Sequence, residues 1–210
     1  MSKQLSKVEI DGWEALAYDS IMKLISGFSY DRFIGKVVDD LNIKPNDAVL
    51  DLGCGTAKNL CLIAKYTTAL CVGFDTSRNM IRQAKKRCKD RNVKIFYQDI
   101  RKPHPFYDMF DVVFISFVLH GFIDRERDLI IKNAYNSLKK GGRFCVLDYN
   151  EFDLKSQNPF VKAVFKYGEC PLASEFIGLN LKDKLSLFGF DNFEEHYYYS
   201  GYVRLLIGEK

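Results

Sequence analysis

The sequence is poor in the features that mark disulfide-rich and metal-binding proteins. Its six cysteines form no CxxC pair and no cysteine–histidine cluster with the spacing of zinc ligands. We therefore expect neither a disulfide framework nor a metal site. Cysteine usage of this kind is typical of a reducing compartment, and the predicted location is cytoplasmic.

Long apolar runs and a strong charge of one sign are also missing. The longest apolar stretch, 112–119, is shorter than half of the ~20 residues that a membrane-spanning helix needs. The first residues, MSKQLSKVEIDGW, lack the apolar core of a signal peptide. The net charge is +4, and the basic run at 85–91 ends a predicted helix, where cations complement the helix dipole. We expect a soluble protein without a nucleic-acid partner; peripheral membrane contact and the oligomeric state stay open.

From residue 48 onward, short apolar runs alternate with helical patterns, as in a parallel sheet covered by helices on both faces. Two later β-rich runs, joined at Ser200-Gly201, indicate an antiparallel hairpin. The predicted fold is α/β, a Rossmann-like seven-stranded, mostly parallel sheet with helices on both faces and a C-terminal antiparallel hairpin. Its predicted strands are 48–52, 70–74, 93–97, 112–119, 144–147, 193–199 and 202–207.

Capping residues and composition divide the rest of the chain. Thr76 or Ser77 is predicted to cap the helix after the second strand, and Asp124 the helix after the fourth. Lys139-Lys140-Gly141-Gly142 is a helix stop signal. We expect a helical lid at 1–46 and a main domain at 47–210, with an acceptor-side insertion and short helix at 152–190.

Acidic residues and glycines follow the first three predicted strands. Asp51 precedes the turn Gly53-Cys54-Gly55, Asp75 ends the second strand, and Asp99 follows the third. Ligands of parallel α/β sheets bind beyond the carboxyl ends of the strands, where these residues are expected to meet. The glycines permit a tight turn that approaches a ligand closely. Asp75 is placed to accept hydrogen bonds from both hydroxyl groups of an adenosine ribose.

Two classes of cofactor share this pattern. Dinucleotide sites have the motif G-x-G-x-x-G, whereas Lys58 occupies the third glycine position here. Asp51 would repel phosphate groups but suits the sulfonium and ammonium groups of S-adenosylmethionine. The residues therefore favour S-adenosylmethionine over a nicotinamide cofactor of an oxidoreductase. A plain strand–helix turn and a cofactor-binding protein without turnover remain as alternatives.

Five segments together resemble the ordered motifs of class I S-adenosylmethionine-dependent methyltransferases. They are VLDLGCGTA, GFDTSRNM, YQDI, FDVVFISFVLH and LKKGGRF, within residues 45–150. The resemblance implies S-adenosyl-L-methionine as cofactor and S-adenosyl-L-homocysteine as product. It implies that Asp51, Gly53 and Gly55 hold the methionine end, that Asp75 takes the ribose, and that Asp99 and Ile100 take the adenine. The predicted cofactor set is completed by Tyr18, Cys54, Thr56, Thr76, Met80, Ser116 and Phe117. Ala57 stands where the family usually has glycine.

The ends of the chain resemble the ubiquinone/menaquinone biosynthesis C-methyltransferases. The matching segments are Tyr18-Asp19 with 25–27, then 115–117, then 175–190. His120-Gly121 replaces the arginine and asparagine that this branch usually has after the fourth strand. The resemblance implies a small quinone-like or other apolar acceptor, with an amine or a thiol as the alternative.

Transfer to a carbon of a hydroquinone ring requires a base that deprotonates its hydroxyl group. His120, after the fourth strand, is the first candidate, and Asp148 and Tyr149, at the end of the fifth, are the next. His104 and His196 are predicted to be structural. The aromatic residues of 152–176 either wall an acceptor pocket or pack in the core, and Tyr18 of the lid is placed to close over the cofactor.

Overall fold

The chain alternates strands and helices in the order that its apolar runs predict. A computed structural model describes residues 29–89, 92–163, 165 and 171–210. The strands are β1 (Val49–Leu52), β2 (Cys71–Asp75), β3 (Val93–Tyr97), β4 (Phe110–Ser116), β5 (Leu138–Tyr149), β6 (Asp191–Tyr198) and β7 (Val203–Glu209). The helices are α1 (Ser29–Asp40), α2 (Lys58–Ile63), α3 (Arg78–Arg87), α4 (Asp124–Ser137), α5 (Pro159–Ala163), α6 (Pro171–Phe176) and α7 (Leu181–Ser186).

All seven strands form one sheet in the order β3-β2-β1-β4-β5-β7-β6. Strands β1 to β5 pair in parallel, whereas β7 runs antiparallel between β5 and β6. The predicted fold class is therefore confirmed, including the C-terminal hairpin. Since the first five strands are parallel, the ends of β1, β2, β4 and β5 that carry candidate residues meet at one edge of the sheet.

Both faces of the sheet are buried. On one face Phe114 of β4 packs in a cluster with Leu60 of α2 and Val37 of α1. On the other face Val113 packs in a second cluster with Ile130 of α4. Alternate residues of β4 therefore enter different cores, which explains why this strand is apolar throughout.

The N-terminal prediction lies partly outside the described residues. Of the predicted lid at 1–46, the structure describes residues from 29 onward, and Tyr18 lies outside this range. Helix α1 is packed into the core beside the sheet. The domain boundary at residue 46 stays a prediction. Among the residues described, no helix has the length and apolar character to cross a membrane.

Two predictions about the fourth helix are wrong. Asp124 is the first helical residue, and the capping position belongs to Ile123, which makes no side-chain hydrogen bond to the helix. The expected stop signal, 139–142, lies within β5, because Leu138 already pairs with Phe110 across a β-bulge. Pairing with β4 extends the strand backward through both glycines. By contrast, Ser77 caps α3 as predicted, and its side chain accepts a hydrogen bond from Met80 N.

The expectation of no disulfide is also wrong. Cys61 of α2 is bonded to Cys88, which follows directly after α3, with their Cα atoms 5.4 Å apart. The two residues are 27 positions apart, and the packing of α2 beside α3 brings them together. Spacing along the sequence carries no sign of this pair. Among the described cysteines, Cys54, Cys71 and Cys145 are free thiols.

Candidate active site

The turn after β1 is held against its neighbours on both sides. Gly53 N and Cys54 N both donate to the carbonyl oxygen of Phe74, at 2.9 and 2.8 Å. Gly53 has φ +77°, and a Cβ at this position would lie 2.8 Å from Val118 Cγ2. Glycine is required here for both reasons. The turn therefore rests on the end of β2 and on the segment that follows β4.

Asp75 links this turn to α3. Its Oδ2 accepts a hydrogen bond from Gly55 N at 2.8 Å, and its Oδ1 accepts one from Ser77 N at 2.7 Å. The carboxylate is thus fixed in orientation at the tip of β2. Thr76 beside it is half-buried, and Met80 in the first turn of α3 is buried. The structure brings these predicted residues together with the glycine turn.

Asp51 is a buried acid beside a second acid. Burial raises the pKa of Asp51 to about 8, and the charge of Asp75 adds to this shift. The pKa of the Cys54 thiol is also raised, first by burial and then by the charges of Asp51 and Asp75. Two acids at the mouth of a glycine turn stabilise a positively charged group and disfavour phosphate. This environment fits the cationic methionine end of S-adenosylmethionine.

Asp99 is already engaged by a neighbouring cation. Arg101 Nε and Nη2 each donate to its carboxylate at 2.9 Å, and Arg101 also pairs with Glu126 of α4 at 2.8 Å. Burial raises the pKa of Asp99, but the hydrogen bonds from Arg101 outweigh burial, and the net pKa is lower than usual. Ile100 is buried. Asp99 therefore sits in an ion-pair network towards α4, and its predicted contact with adenine stays a prediction.

Thr56 and Ser116, two other predicted cofactor residues, have partners that the sequence did not predict. Thr56 is buried, and its carbonyl oxygen accepts a hydrogen bond from Arg87 at 2.9 Å. Ser116 Oγ accepts one from Asn59 Nδ2 at 3.3 Å. Ala57 adopts φ +56°, so the residue that replaces the family's glycine keeps a left-handed conformation.

His120 and Asp148 form a close pair at the ends of β4 and β5. His120 Nδ1 lies 2.7 Å from Asp148 Oδ1, and Asp148 is only 2% exposed. The same carboxylate accepts hydrogen bonds from His120 N at 3.2 Å and from Tyr149 N at 2.8 Å. Three contacts therefore fix this carboxylate, which in turn orients the imidazole. A Cβ on Gly53 would collide with Val118, so the glycine turn lies against the segment that also carries His120.

Aromatic side chains surround the His120–Asp148 pair. The Tyr149 ring lies 5.0 Å from the His120 ring, and the Phe176 ring lies 6.4 Å from it. Phe117 contacts both Tyr149, at 6.1 Å, and Phe33 of α1, at 6.4 Å. These rings form an aromatic wall beside His120. Phe165, from the aromatic segment 152–176, extends the wall, because its ring lies 5.1 Å from that of Tyr149. Nothing in the sequence predicts that Phe33 of α1 would contact this aromatic wall.

The two remaining histidines lie elsewhere. His104 is buried and shares a 3.3 Å contact with Ser137 Oγ, and burial lowers its pKa. His196 lies on β6, where it faces Glu194 and Asp40. The structure thus places only His120 of the three at the strand ends that carry the other candidate residues.

Comparison with known proteins supports the family suggested by the motifs. Residues 49–142 match the model of a family described as a methyltransferase domain. The chain is 31% identical to the demethylmenaquinone methyltransferase of Thermotoga maritima over 163 residues, which cover 70% of this chain and 69% of that protein. It is 32% identical to the ubiquinone/menaquinone biosynthesis C-methyltransferase of Desulfotalea psychrophila over 76% of this chain, and it spans 64% of that protein's length.

The fold is shared with solved structures. The crystal structure of an S-adenosylmethionine-dependent methyltransferase from Aquifex aeolicus matches with a TM-score of 0.61 at 16% identity, over 83% of this chain and 88% of that one. On the strength of the 31% identity to the Thermotoga maritima relative, the chain belongs to the class I S-adenosylmethionine-dependent methyltransferases. Within that class it resembles the ubiquinone and menaquinone biosynthesis branch, as the ends of the sequence indicated.

Proposed function

We propose that this protein transfers the methyl group of S-adenosylmethionine to a small, apolar aromatic acceptor that carries an ionisable hydroxyl group. The observation that carries the proposal is the 2.7 Å contact between His120 Nδ1 and the buried Asp148, at the strand ends beside the glycine turn. The family membership and the names of the relatives support the same activity.

The residues of the turn fit the cofactor that the family uses. Asp51 and the turn 53–55 would hold its cationic methionine end, and Asp75 would take the ribose hydroxyl groups. When bound, S-adenosylmethionine supplies a methyl group on a positively charged sulfur with a good leaving group. The remaining task of the protein is to align the acceptor and to exclude water. The partly buried turn would hold the cofactor, and the aromatic wall would align the acceptor and exclude water.

The His120–Asp148 pair supplies the base. Asp148 accepts the hydrogen bond of Nδ1–H, which fixes the tautomer in which Nε2 is the ring nitrogen that can take a proton. As His120 takes the proton of the acceptor hydroxyl, Asp148 stabilises the imidazolium that forms. Deprotonation leaves a nucleophilic phenolate oxygen and an electron-rich ring. The methyl group can then be transferred to the oxygen or to a ring carbon.

The aromatic wall favours a flat apolar acceptor. The rings of Tyr149 and Phe176 lie 5.0 and 6.4 Å from the ring of His120, and Phe117 extends this wall from Tyr149 at 6.1 Å. A quinol-like acceptor has the apolar ring and the hydroxyl group that this arrangement suits. Amines and thiols need no ring-activating base, so they form the second class of acceptor to be tested.

The test measures methyl transfer from radiolabelled S-adenosylmethionine to naphthoquinols, phenols, amines and thiols. We expect transfer to a naphthoquinol or phenol, and we expect His120→Gln to lower kcat by about 10²–10⁴ with unchanged affinity for S-adenosylhomocysteine. Asp148→Asn should lower kcat in the same way, because its amide no longer stabilises the imidazolium.

His196→Gln is the matched control, since His196 lies on β6 away from the candidate residues. It should leave turnover unchanged. Transfer to amines or thiols alone, or normal turnover of His120→Gln, would contradict the role of the base. Calorimetry that detects binding of NADH but not of S-adenosylhomocysteine would contradict the assignment of S-adenosylmethionine as the cofactor.

A further inference from the structure

Cys61 and Cys88 lie beside the candidate cofactor turn and take no part in the chemistry proposed above. Helix α2, which carries Cys61, begins directly after Ala57, and Cys88 follows directly after α3. Both cysteines are partly exposed. The pair therefore joins the two helices that follow the glycine turn and Asp75.

Both cysteines also touch the end of the turn. Cys61 N donates to Ala57 O at 2.9 Å, and Cys88 Sγ lies 3.7 Å from the same oxygen. A thiol at that distance can donate a weak hydrogen bond to the carbonyl group. Cys88 Sγ thus has two alternative partners: Cys61 Sγ in the oxidised protein and Ala57 O in the reduced protein.

The contacts around this pair connect it to the cofactor residues. Arg87, next to Cys88, donates to Thr56 O at 2.9 Å. The other end of α3 is held by Asp75, which also binds the amide of Gly55. Helix α3 therefore touches the turn at both of its ends. A covalent bond that fixes one end restricts the conformations of the whole turn.

The surface around Cys88 is positively charged. Lys85 and Lys86 in the last turn of α3 and Lys89 just beyond it are exposed. Such a surface attracts anionic reagents and repels cationic ones. The reagent class that fits is a small anionic disulfide such as oxidised glutathione.

We propose that Cys61 and Cys88 form a redox-reactive site for small anionic disulfides, and that oxidation of this pair tightens binding of the nucleoside cofactor. One cysteine thiolate attacks the reagent disulfide and releases one reagent thiol, and the second cysteine then displaces the other. The protein loses two electrons and two protons, and the reagent leaves as two thiols. The bond orders the turn before the cofactor binds, which lowers the entropic cost of binding. The effect on affinity rests on the proposed cofactor site.

The test compares oxidised and reduced protein in a Cys170→Ser background, which removes a cysteine outside the described residues. After equilibration with oxidised glutathione or with dithiothreitol, alkylation and mass spectrometry count the free thiols. Calorimetry then measures the affinity for S-adenosylhomocysteine. We expect two fewer free thiols in the oxidised protein and about tenfold tighter binding, which corresponds to about 1.4 kcal/mol. Cys61→Ser and Cys88→Ala should each abolish both differences.

Salt dependence tests the charge of the reagent. The rate of oxidation by oxidised glutathione should fall as salt is added, whereas the rate with cystamine, a dication, should rise, because salt screens attraction and repulsion alike. Equal slopes for the two reagents would overturn the assignment to anionic disulfides.

The other outcomes separate the claims. Thiols that stay open to alkylation in oxidised glutathione would overturn the redox site. A disulfide that forms but leaves the affinity unchanged would overturn its coupling to the cofactor. Failure to bind S-adenosylhomocysteine in either redox state would instead contradict the proposed cofactor site, while the thiol count would still decide whether the pair is redox-reactive.

Discussion

Replacing Asp51 tests whether the cofactor site is built for a cation. Burial and the charge of Asp75 raise the pKa of Asp51 from 3.8 to about 8. At pH 7 about nine-tenths of the unliganded molecules therefore carry a neutral Asp51. An ammonium or sulfonium group beside it favours the carboxylate, so binding should release about 0.9 proton at pH 7. The affinity should rise almost tenfold per pH unit between about pH 5.5 and 7, and this gain should end near pH 8.

The same raised pKa affects the stability of the unliganded protein. The folded protein favours protonated Asp51, whereas the unfolded chain ionises it near pH 3.8. The resulting contribution to stability is fully present below pH 3.8 and is lost as the pH rises through about 8. By pH 7 the loss corresponds to about 4 kcal/mol, at about 1.4 kcal/mol per pH unit above the ordinary pKa. Asp51→Asn cannot ionise. It should therefore unfold at a higher urea concentration than the wild type at pH 7 to 8, and the gain should shrink towards acidic pH.

Calorimetry in buffers of different ionisation enthalpy counts the protons released on binding. The measurements use S-adenosylhomocysteine at or below pH 7, where the ligand amine stays protonated. Asp51→Asn should bind without proton release and with an affinity that does not change with pH. Asp75→Asn is the matched control: it removes the neighbouring charge, so the Asp51 pKa should fall and fewer protons should be released. Wild-type binding without proton release, or unchanged release from Asp51→Asn, would refute the reasoning.

Three further predictions concern single residues, two in the cofactor site and one buried in α4. Asp75→Ala should weaken the binding of S-adenosylhomocysteine about tenfold or more by calorimetry, because it removes hydrogen bonds to a charged group. Arg127→Met should lower the free energy of unfolding by about 1–3 kcal/mol in urea titrations, because the buried guanidinium donates to two backbone carbonyl groups and covers the ring of Phe176. Gly53→Ala should lower the melting temperature and the cofactor affinity more than Gly55→Ala, because only at Gly53 would a Cβ collide with a neighbour.

The controls for these variants come from the same contacts. Glu175, the partner of Arg127, is 55% exposed, so Glu175→Gln should change the free energy of unfolding by less than about 1 kcal/mol. Gly55→Ala keeps the cost of its positive φ, about 1 kcal/mol, without a collision. Equal losses from both glycine variants would contradict the role of the contact with Val118. Unchanged affinity of Asp75→Ala would remove Asp75 from the ribose site.

Local sequence signals were enough to predict the sheet and much of the site. The parallel topology of β1 to β5 follows from alternating runs, and it brings the carboxyl ends of these strands to one edge. Asp51, Asp75 and Asp148 all follow from this rule, because each lies at a strand end that their apolar neighbours define. Ser77 was predictable from its position directly before a helix. The end of α4 was not, because the pairing of Leu138 with Phe110 outweighs a local stop signal.

Contacts between segments that are distant in the sequence account for what the sequence did not predict. The Cys61–Cys88 bond depends on the packing of two helices, and the ion pair of Arg101 with Glu126 joins the segment after β3 to α4. The acceptor pocket is the clearest case of contacts that the sequence does not predict. Its aromatic wall combines Phe33 of α1 with residues that follow β4 and β5, and none of these segments has a period that predicts the others. Cofactor binding uses strand ends that the topology fixes, whereas acceptor specificity depends on side chains that only the folded chain brings together. Variants at Phe33 should therefore change the choice of acceptor while the affinity for S-adenosylhomocysteine stays the same.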